Sequence, residues 1–247
     1  MVELIIITGG SGRLGKELRK IFTNALAPRS TEMDITNLTS VREYLSKNIP
    51  DTIFHLAAIT SIPECENKKD LAWKTNVTGT ENLLNVCNEV NPNCYFIYIS
   101  TACVFSGDRG FYNEDDIPYP KNYYGLTKAI AETAVRISPL KNKLIVRSNF
   151  VPKEKWSYEG AFIDRYGTYL FADDLAKALK EVYEAKLTGI VHITGDMKIS
   201  MYELAKITTP NVKPLSYKEF EEKVNYKLTV DMSLDSKIWK KYKLGGK

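Results

Sequence analysis

The 247-residue sequence predicts an α/β fold, a parallel sheet with helices covering both faces. Three observations predict it. Apolar, β-branched runs without polar alternation recur at 2–8, 52–58, 94–100 and 143–149, as strands buried on both faces read. Stretches of helical period separate these runs. A glycine cluster, "TGGSGRLG", stands where the first strand gives way to the first helix.

The elements follow in order. "VELIIIT" is the first strand, with a helix over about 14–22 and a short strand at 24–28. "SVREYLSKN" is a helix, "TIFHLAA" the second strong strand, and 70–90 one long amphipathic helix. "CYFIYIS" is the third strong strand, "YYGLTKAIAETAVRI" a helix and "KLIVRSN" the fourth. After Val151 the periodicity loosens through an aromatic, charged stretch ending near Tyr169. "FADDLAKALKEVYEA" is a helix capped by Asp173 or Asp174, and "GIVHIT" a strand. "SMYELAKI" opens with a capping box from Ser200 to Glu203, and "SLDSKIWKKY" is a final helix.

Composition narrows the function. No run of about 18 apolar residues exists, and the N-terminus lacks a basic leader, so neither a membrane span nor a signal peptide is expected. Four cysteines without a C-x-x-C pair, and two histidines without partner spacing, argue against a metal site or a disulfide scaffold and for the reducing cytoplasm. From Lys213 onward nine lysines face five acids, which is the whole net charge of +4. That reads as a solvated terminal face, so no nucleic-acid partner is expected.

The glycine loop carries the first chemistry. Gly10, Gly12 and Gly15 fit G-x-G-x-x-G, and Gly9, Gly12 and Gly15 fit G-x-x-G-x-x-G. Glycines at a strand-to-helix turn let a pyrophosphate approach the backbone, with its charge on the free N–H groups of the helix start. Gly9, Gly12, Arg13, Leu14 and Gly15 are therefore candidate contacts of a dinucleotide. The segment "NALAPRST" offers no carboxylate for a ribose 2′-hydroxyl but offers Arg29, with Arg13 second, to pair with a 2′-phosphate. NADP is the expected cofactor, with NAD left open. The fold is then a Rossmann-type, doubly wound sheet. Residues 1–150 form the cofactor-binding part and 151–247 a small substrate-binding part, with elements returning to the core at roughly 170–195.

The second chemistry is Tyr124 and Lys128, one helical turn apart on one face, whereas Tyr123 points elsewhere. A nearby ammonium favours phenolate and lowers a phenol pKa, so Tyr124 is expected to exchange a proton near neutral pH. The helix follows the strand ending in "YISTACVF", where Ser100 and Thr101 present hydroxyls at the carboxyl end. Strand alternation puts Cys103 on the side of Thr101.

Together, "TGGSGRLG", "MDIT", "PDTIFHLAAITSIPECE", "NVTGTENLL", "YISTACVFSGDRGFYNEDDIPYPKNYYGLTK", "IVRSNFV" and "TYLFADDLAKAL" cover most of residues 3–180. With them the chain resembles the extended short-chain dehydrogenase/reductases, most of all the dTDP-4-dehydrorhamnose reductases. The resemblance implies catalysis by Thr101, Tyr124 and Lys128, and reduction of a keto-deoxysugar nucleotide. It implies Asp34 and Ile35 near the adenine, Ala57 and Ala58 along the cofactor cleft, and Asn76 as support. Cys103, Val104 and Asn149 are candidate substrate contacts, and Tyr158, Phe162, Arg165 and Tyr169 candidates for the nucleotide. GDP-fucose synthases use a cysteine at the place of Cys103, but their accompanying histidine is missing here. Only about 20 residues separate "IVRS" from "TYLFADDLA", half the family's usual span. Two alternatives stay open: a nucleotide-sugar epimerase or dehydratase, and a non-catalytic NADP-binding regulatory subunit. A homodimer is left open as well.

Overall fold

The structure is a computed structural model and describes residues 3–246. Five parallel strands form the central sheet in the order β1 (Ile5–Thr8), β2 (Thr52–His55), β3 (Tyr95–Thr101), β4 (Asn142–Ser148) and β5 (Gly189–His192). Alternate residues of each strand enter two separate cores. Ile6, Ile53, Phe96 and Ile145 pack under α2 (Leu38–Lys47), α5 (Gly79–Val90) and α6 (Tyr123–Ile137). Ile7, Phe54, Ile97 and Leu144 pack under α1 (Arg13–Ile21) and α7 (Ala172–Glu184). Apolar residues on both faces are why these strands lack alternation. The result is a Rossmann-type sheet.

Two connections position the crevice. From β1 the chain runs outward to Leu26, whose amide and carbonyl bond Ile5 and Ile7. It then crosses back over β1 to form β2 on the other side. The strand order therefore reverses at β1, and the carboxyl ends of β1 and β2 open a cleft there. The strand expected at 24–28 is reduced to this single bridge at Leu26.

The segment expected as one helix over 70–90 is built from α4 (Lys69–Trp73), a π-helical turn (Lys74–Thr78) and α5. A short α3 (Ile62–Asn67), capped by the Ser61 hydroxyl, precedes it. α7 is not capped by Asp173 or Asp174: Phe171 is its N-cap, without a side-chain cap bond. Both acids lie inside the first turn, where they face the positive end of the helix dipole. The capping box of Ser200 and Glu203 forms at α8 (Met201–Thr208).

The final helix expected over 233–242 does not form. Leu234 is buried and bridges Tyr112, Asp235 donates its amide to the Tyr112 carbonyl, and Tyr242 bridges Gly195. These tertiary bonds outweigh a modest helix propensity. The C-terminal part is otherwise small paired strands, with 231–232 and 199–200 flanking 166–167 and 213–215 pairing 160–162, together with α8 and α9 (Tyr217–Glu221).

Candidate active site

Gly9, Gly12 and Gly15 shape the turn between β1 and α1. Gly9 has φ +69°, a left-handed conformation, and a Cβ there would sit 2.8 Å from the Ala57 nitrogen. A Cβ on Gly15 would lie 2.3 Å from the Gly9 carbonyl oxygen. The turn closes through the Gly12 amide, which donates to the Gly9 carbonyl at 2.9 Å. Gly12 is the N-cap of α1 and contributes no side-chain bond, so the first N–H groups of the helix stay free. Arg13 opens α1 and is exposed, Leu14 is buried beneath it, and Arg29 is exposed. This cradle fits a dinucleotide phosphate.

The wall opposite is the loop after β2. The Leu56 and Ala57 amides donate to Thr8 Oγ1, each at 3.2 Å, and Ala57 and Ala58 are half-buried. Behind them His55 is fully buried, and burial lowers its pKa to about 3, with Lys128 acting in the same direction. It is therefore neutral. Thr80 donates to the Asn76 carbonyl at 2.8 Å, so its oxygen accepts from His55 Nε2, while Thr8 donates to Nδ1 at 2.7 Å. Asn76 completes the wall from the π turn. Its Oδ1 accepts from the Ile59 amide at 2.8 Å, and its Nδ2 donates to the Ile59 carbonyl and to Thr127 of α6, both at 3.0 Å. Asp34 accepts from the amide and hydroxyl of Thr36 at 2.9 and 2.8 Å, and Ile35 packs on Gly79.

α6 carries the candidate chemistry. Asn122 caps it, with Oδ1 accepting from the Gly125 amide at 2.9 Å. A Cβ on Gly125 would meet the Cys103 carbonyl oxygen at 2.2 Å, so glycine lets the helix start press on the end of β3. Tyr124 packs half-buried against the cluster of Cys103, Tyr112 and Met232. Tyr123 instead turns to α3, its amide donating to Glu66 at 2.8 Å. Thr101 is buried at the carboxyl end of β3, and its Oγ1 accepts from the Cys103 amide at 3.1 Å.

The protonation of the pair differs from expectation. Burial raises the Tyr124 pKa, Cys103 adds to this, and the Thr101 hydroxyl pulls the other way. Lys128 does not lower it here. Its Nζ donates to the Ile99 carbonyl at 2.7 Å and lies 4.0 Å from the centre of the Tyr98 ring. Lys128 is only 4% exposed, and burial pushes its pKa down to about 7, partly offset by Glu132.

Glu132 belongs to a buried network that the sequence reading passed over. Arg147 of β4 donates to it from Nε at 3.0 Å and from Nη2 at 2.7 Å, with both side chains 2–3% exposed. Ser100 also donates to Glu132, so its hydroxyl faces this pair and is not free for a substrate oxygen. Arg147 Nη1 donates to His192 Nε2 at 3.4 Å, and His192 Nδ1 donates to the Asp235 carbonyl at 2.9 Å. Two signals stood in the sequence: a glutamate one turn beyond Lys128, and a lone arginine inside "LIVRS".

The substrate candidates are enclosed. β3 ends at Thr101, and Ala102–Val104 form a 3₁₀ turn, so strand alternation does not place Cys103. Its thiol contacts Met232 Sδ at 3.7 Å, Val104 is fully buried, and Asn149 donates to the Met232 carbonyl. Arg165 and Tyr169 are buried nearby, Phe162 packs on Tyr217 and Phe220, and Tyr158 is exposed beside Trp156. A groove lined by Glu3, Asp51, Tyr95 and Lys186 among others opens at the amino ends of the strands, away from this chemistry. Among the described residues no His, Cys, Asp and Glu cluster suits a metal ion, and no helix is long and apolar enough to cross a membrane.

The chain is similar to known proteins in sequence and in fold. Residues 3–162 match the family described as RmlD substrate binding domain. A dTDP-4-dehydrorhamnose reductase of Aggregatibacter actinomycetemcomitans is 29% identical over 228 residues, 81% of this chain and 76% of its own length. Methionine adenosyltransferase 2 subunit beta of Xenopus laevis is 28% identical over 235 residues, 81% of this chain and 69% of its own. The solved structure of a dTDP-4-dehydrorhamnose reductase from Bacillus anthracis, in complex with NADP, superposes with a TM-score of 0.86 at 27% identity. That match covers 95% of this chain and 91% of the other.

Proposed function

The chain belongs to the RmlD substrate-binding-domain family, and on that premise we propose that it is an NADPH-dependent reductase of a keto-deoxysugar nucleotide. The observation that carries the reading is the meeting of Thr101 and Tyr124 at the carboxyl end of β3, with Lys128 behind them and the glycine cradle alongside. NADPH, when bound, supplies the hydride. The free N–H groups of α1 and Arg13 receive its diphosphate, and Arg29 its 2′-phosphate. Thr101 orients the substrate carbonyl. Tyr124 gives its proton to the carbonyl oxygen as the ketone takes up hydride and becomes an alcohol, and its raised pKa keeps the phenol protonated at neutral pH. Lys128, one turn below, holds the nicotinamide ribose and shares the returning proton.

Residues 1–150 would hold the cofactor and 151–247 close over the substrate. The four free, buried thiols fit a reducing cytoplasm. A homodimer is an assembly to test by sedimentation.

Tyr124→Phe is expected to lower kcat by about 10²–10⁴-fold, with NADPH binding retained in fluorescence titration. Turnover equal to the parent chain refutes the assignment. A regulatory NADP-binding subunit is the second reading, favoured by the similarity to the Xenopus laevis subunit. It predicts NADPH binding without oxidation across dTDP-, UDP- and GDP-linked keto sugars.

A further inference from the structure

Glu132 is a charge buried in the wall of the reaction centre. Its side chain is 3% exposed, and the Arg147 guanidinium and the Ser100 hydroxyl donate to it. Ser100 and Arg147 are register partners on β3 and β4, so both side chains point to the α6 face of the sheet. Arg147 is itself held from two further sides. His192 Nε2 accepts from it, and the centre of the Phe105 ring lies 5.0 Å from its guanidinium carbon.

Such a pair is a poor device for stability alone. Taking both charges out of water is costly, and packed apolar residues often stabilise a core as well or better. Fixing a register is the best-attested use of a buried pair. The register here is that of α6 on β3. Tyr124, Lys128 and Glu132 are spaced by four residues, so they lie along one face of the helix. Lys128 grips β3 at the Ile99 carbonyl, and Glu132 grips it at the next residue, Ser100. The residue after that is Thr101, whose hydroxyl faces Tyr124. Lys128 alone is a bond on a long, flexible stem, about which the helix can tilt or slide. A second bond at the adjacent strand residue, backed by Arg147, removes that freedom. A misplacement of about 1 Å between reacting groups can cost about 10²-fold in rate.

We propose that Glu132 and Ser100 form a register pin, positioning residues that align Tyr124 of α6 with Thr101 of β3. The pin rests on the reductase reading above, and the experiment separates the two.

Ser100→Ala decides it, because this change removes the β3 half of the pin and leaves the Arg147–Glu132 pair whole. Turnover is counted per NADPH site titrated by fluorescence, so a loss of folded protein does not lower it. The expected kcat is lower by about tenfold or more, with KM for a keto-sugar nucleotide and NADPH affinity held within about threefold. A kcat within about twofold of the parent value overturns the pin, whatever KM does. If Ser100→Ala fails to fold, the double variant Glu132→Leu with Arg147→Met decides on the same readings. A parent chain that reduces keto sugars, with its kcat untouched by these changes, overturns the pin alone. A parent chain that turns over no keto sugar removes the reductase reading. Crystal structures of the parent and Ser100→Ala chains then decide the pin. A shift of Tyr124 relative to Thr101 supports it, and an unmoved pair overturns it.

Discussion

At the scale of single residues, Lys128 is a strongly perturbed group of the candidate site. Its ammonium is buried beneath α6 with one carbonyl and one aromatic face for company, and its pKa falls to about 7. The unfolded chain holds that proton up to about 10.5. Between these values the unfolded state binds more protons, so stability rises with pH. Each pH unit inside the window adds about 1.4 kcal/mol. Urea unfolding from pH 7 to 10 is expected to show this rise in the parent chain and to lose it in Lys128→Met. Tyr124 teaches the complementary lesson. The four-residue spacing separated it from Tyr123, and the fold does set Tyr124 against Cys103 while the Tyr123 amide bonds Glu66, because spacing decides which face of a helix a side chain occupies. Its proton affinity was not legible, because that depends on burial by Cys103 and on where the Lys128 ammonium points.

At the scale of elements, two devices hold the site. One is the close approach of α1 to the glycine turn. Gly15→Ala places a methyl 2.3 Å from the Gly9 carbonyl oxygen, which forces the helix start away from the phosphate cradle. NADPH affinity, measured by fluorescence, is expected to fall at least about tenfold. The other is the clamp between α6 and β4. Glu132→Gln leaves the Arg147 guanidinium uncompensated in the core and is expected to cost about 3–5 kcal/mol. Replacing both partners, as Glu132→Leu with Arg147→Met, is expected to cost much less than Glu132→Gln alone in urea melts. The clamp was half legible. Each residue stood out in the sequence, but only the sheet register brings β4 beside β3, with Arg147 opposite Ser100, under the last turns of α6.

At the scale of the molecule, two buried neutral histidines tie together segments distant in sequence. His55 ties β1 and β2 to α5, and His192 ties β5 to the C-terminal segment through the Tyr112 and Asp235 carbonyls. Burial lowers both pKa values, His55 to about 3 and His192 below its ordinary 6.5. Below about pH 6.5 the unfolded chain takes protons that the folded one refuses, so stability falls as the solution is acidified. An acid melt is expected to begin below this point, and His55→Gln to shift its onset to lower pH.

The sequence by itself determined the five strands of the central sheet, the glycine turn between the first strand and the first helix and the face on which Tyr124 lies, because each follows from local pattern: apolar runs, a backbone that only glycine allows, and a helical repeat. Tertiary structure alone decided the rest. Residues 233–242 form no helix because Leu234 and Asp235 bond a segment more than a hundred residues earlier. Arg165 lies buried between two methionines because strand 231–232 pairs over 166–167. Such contacts join distant parts of the chain, and no local period records them.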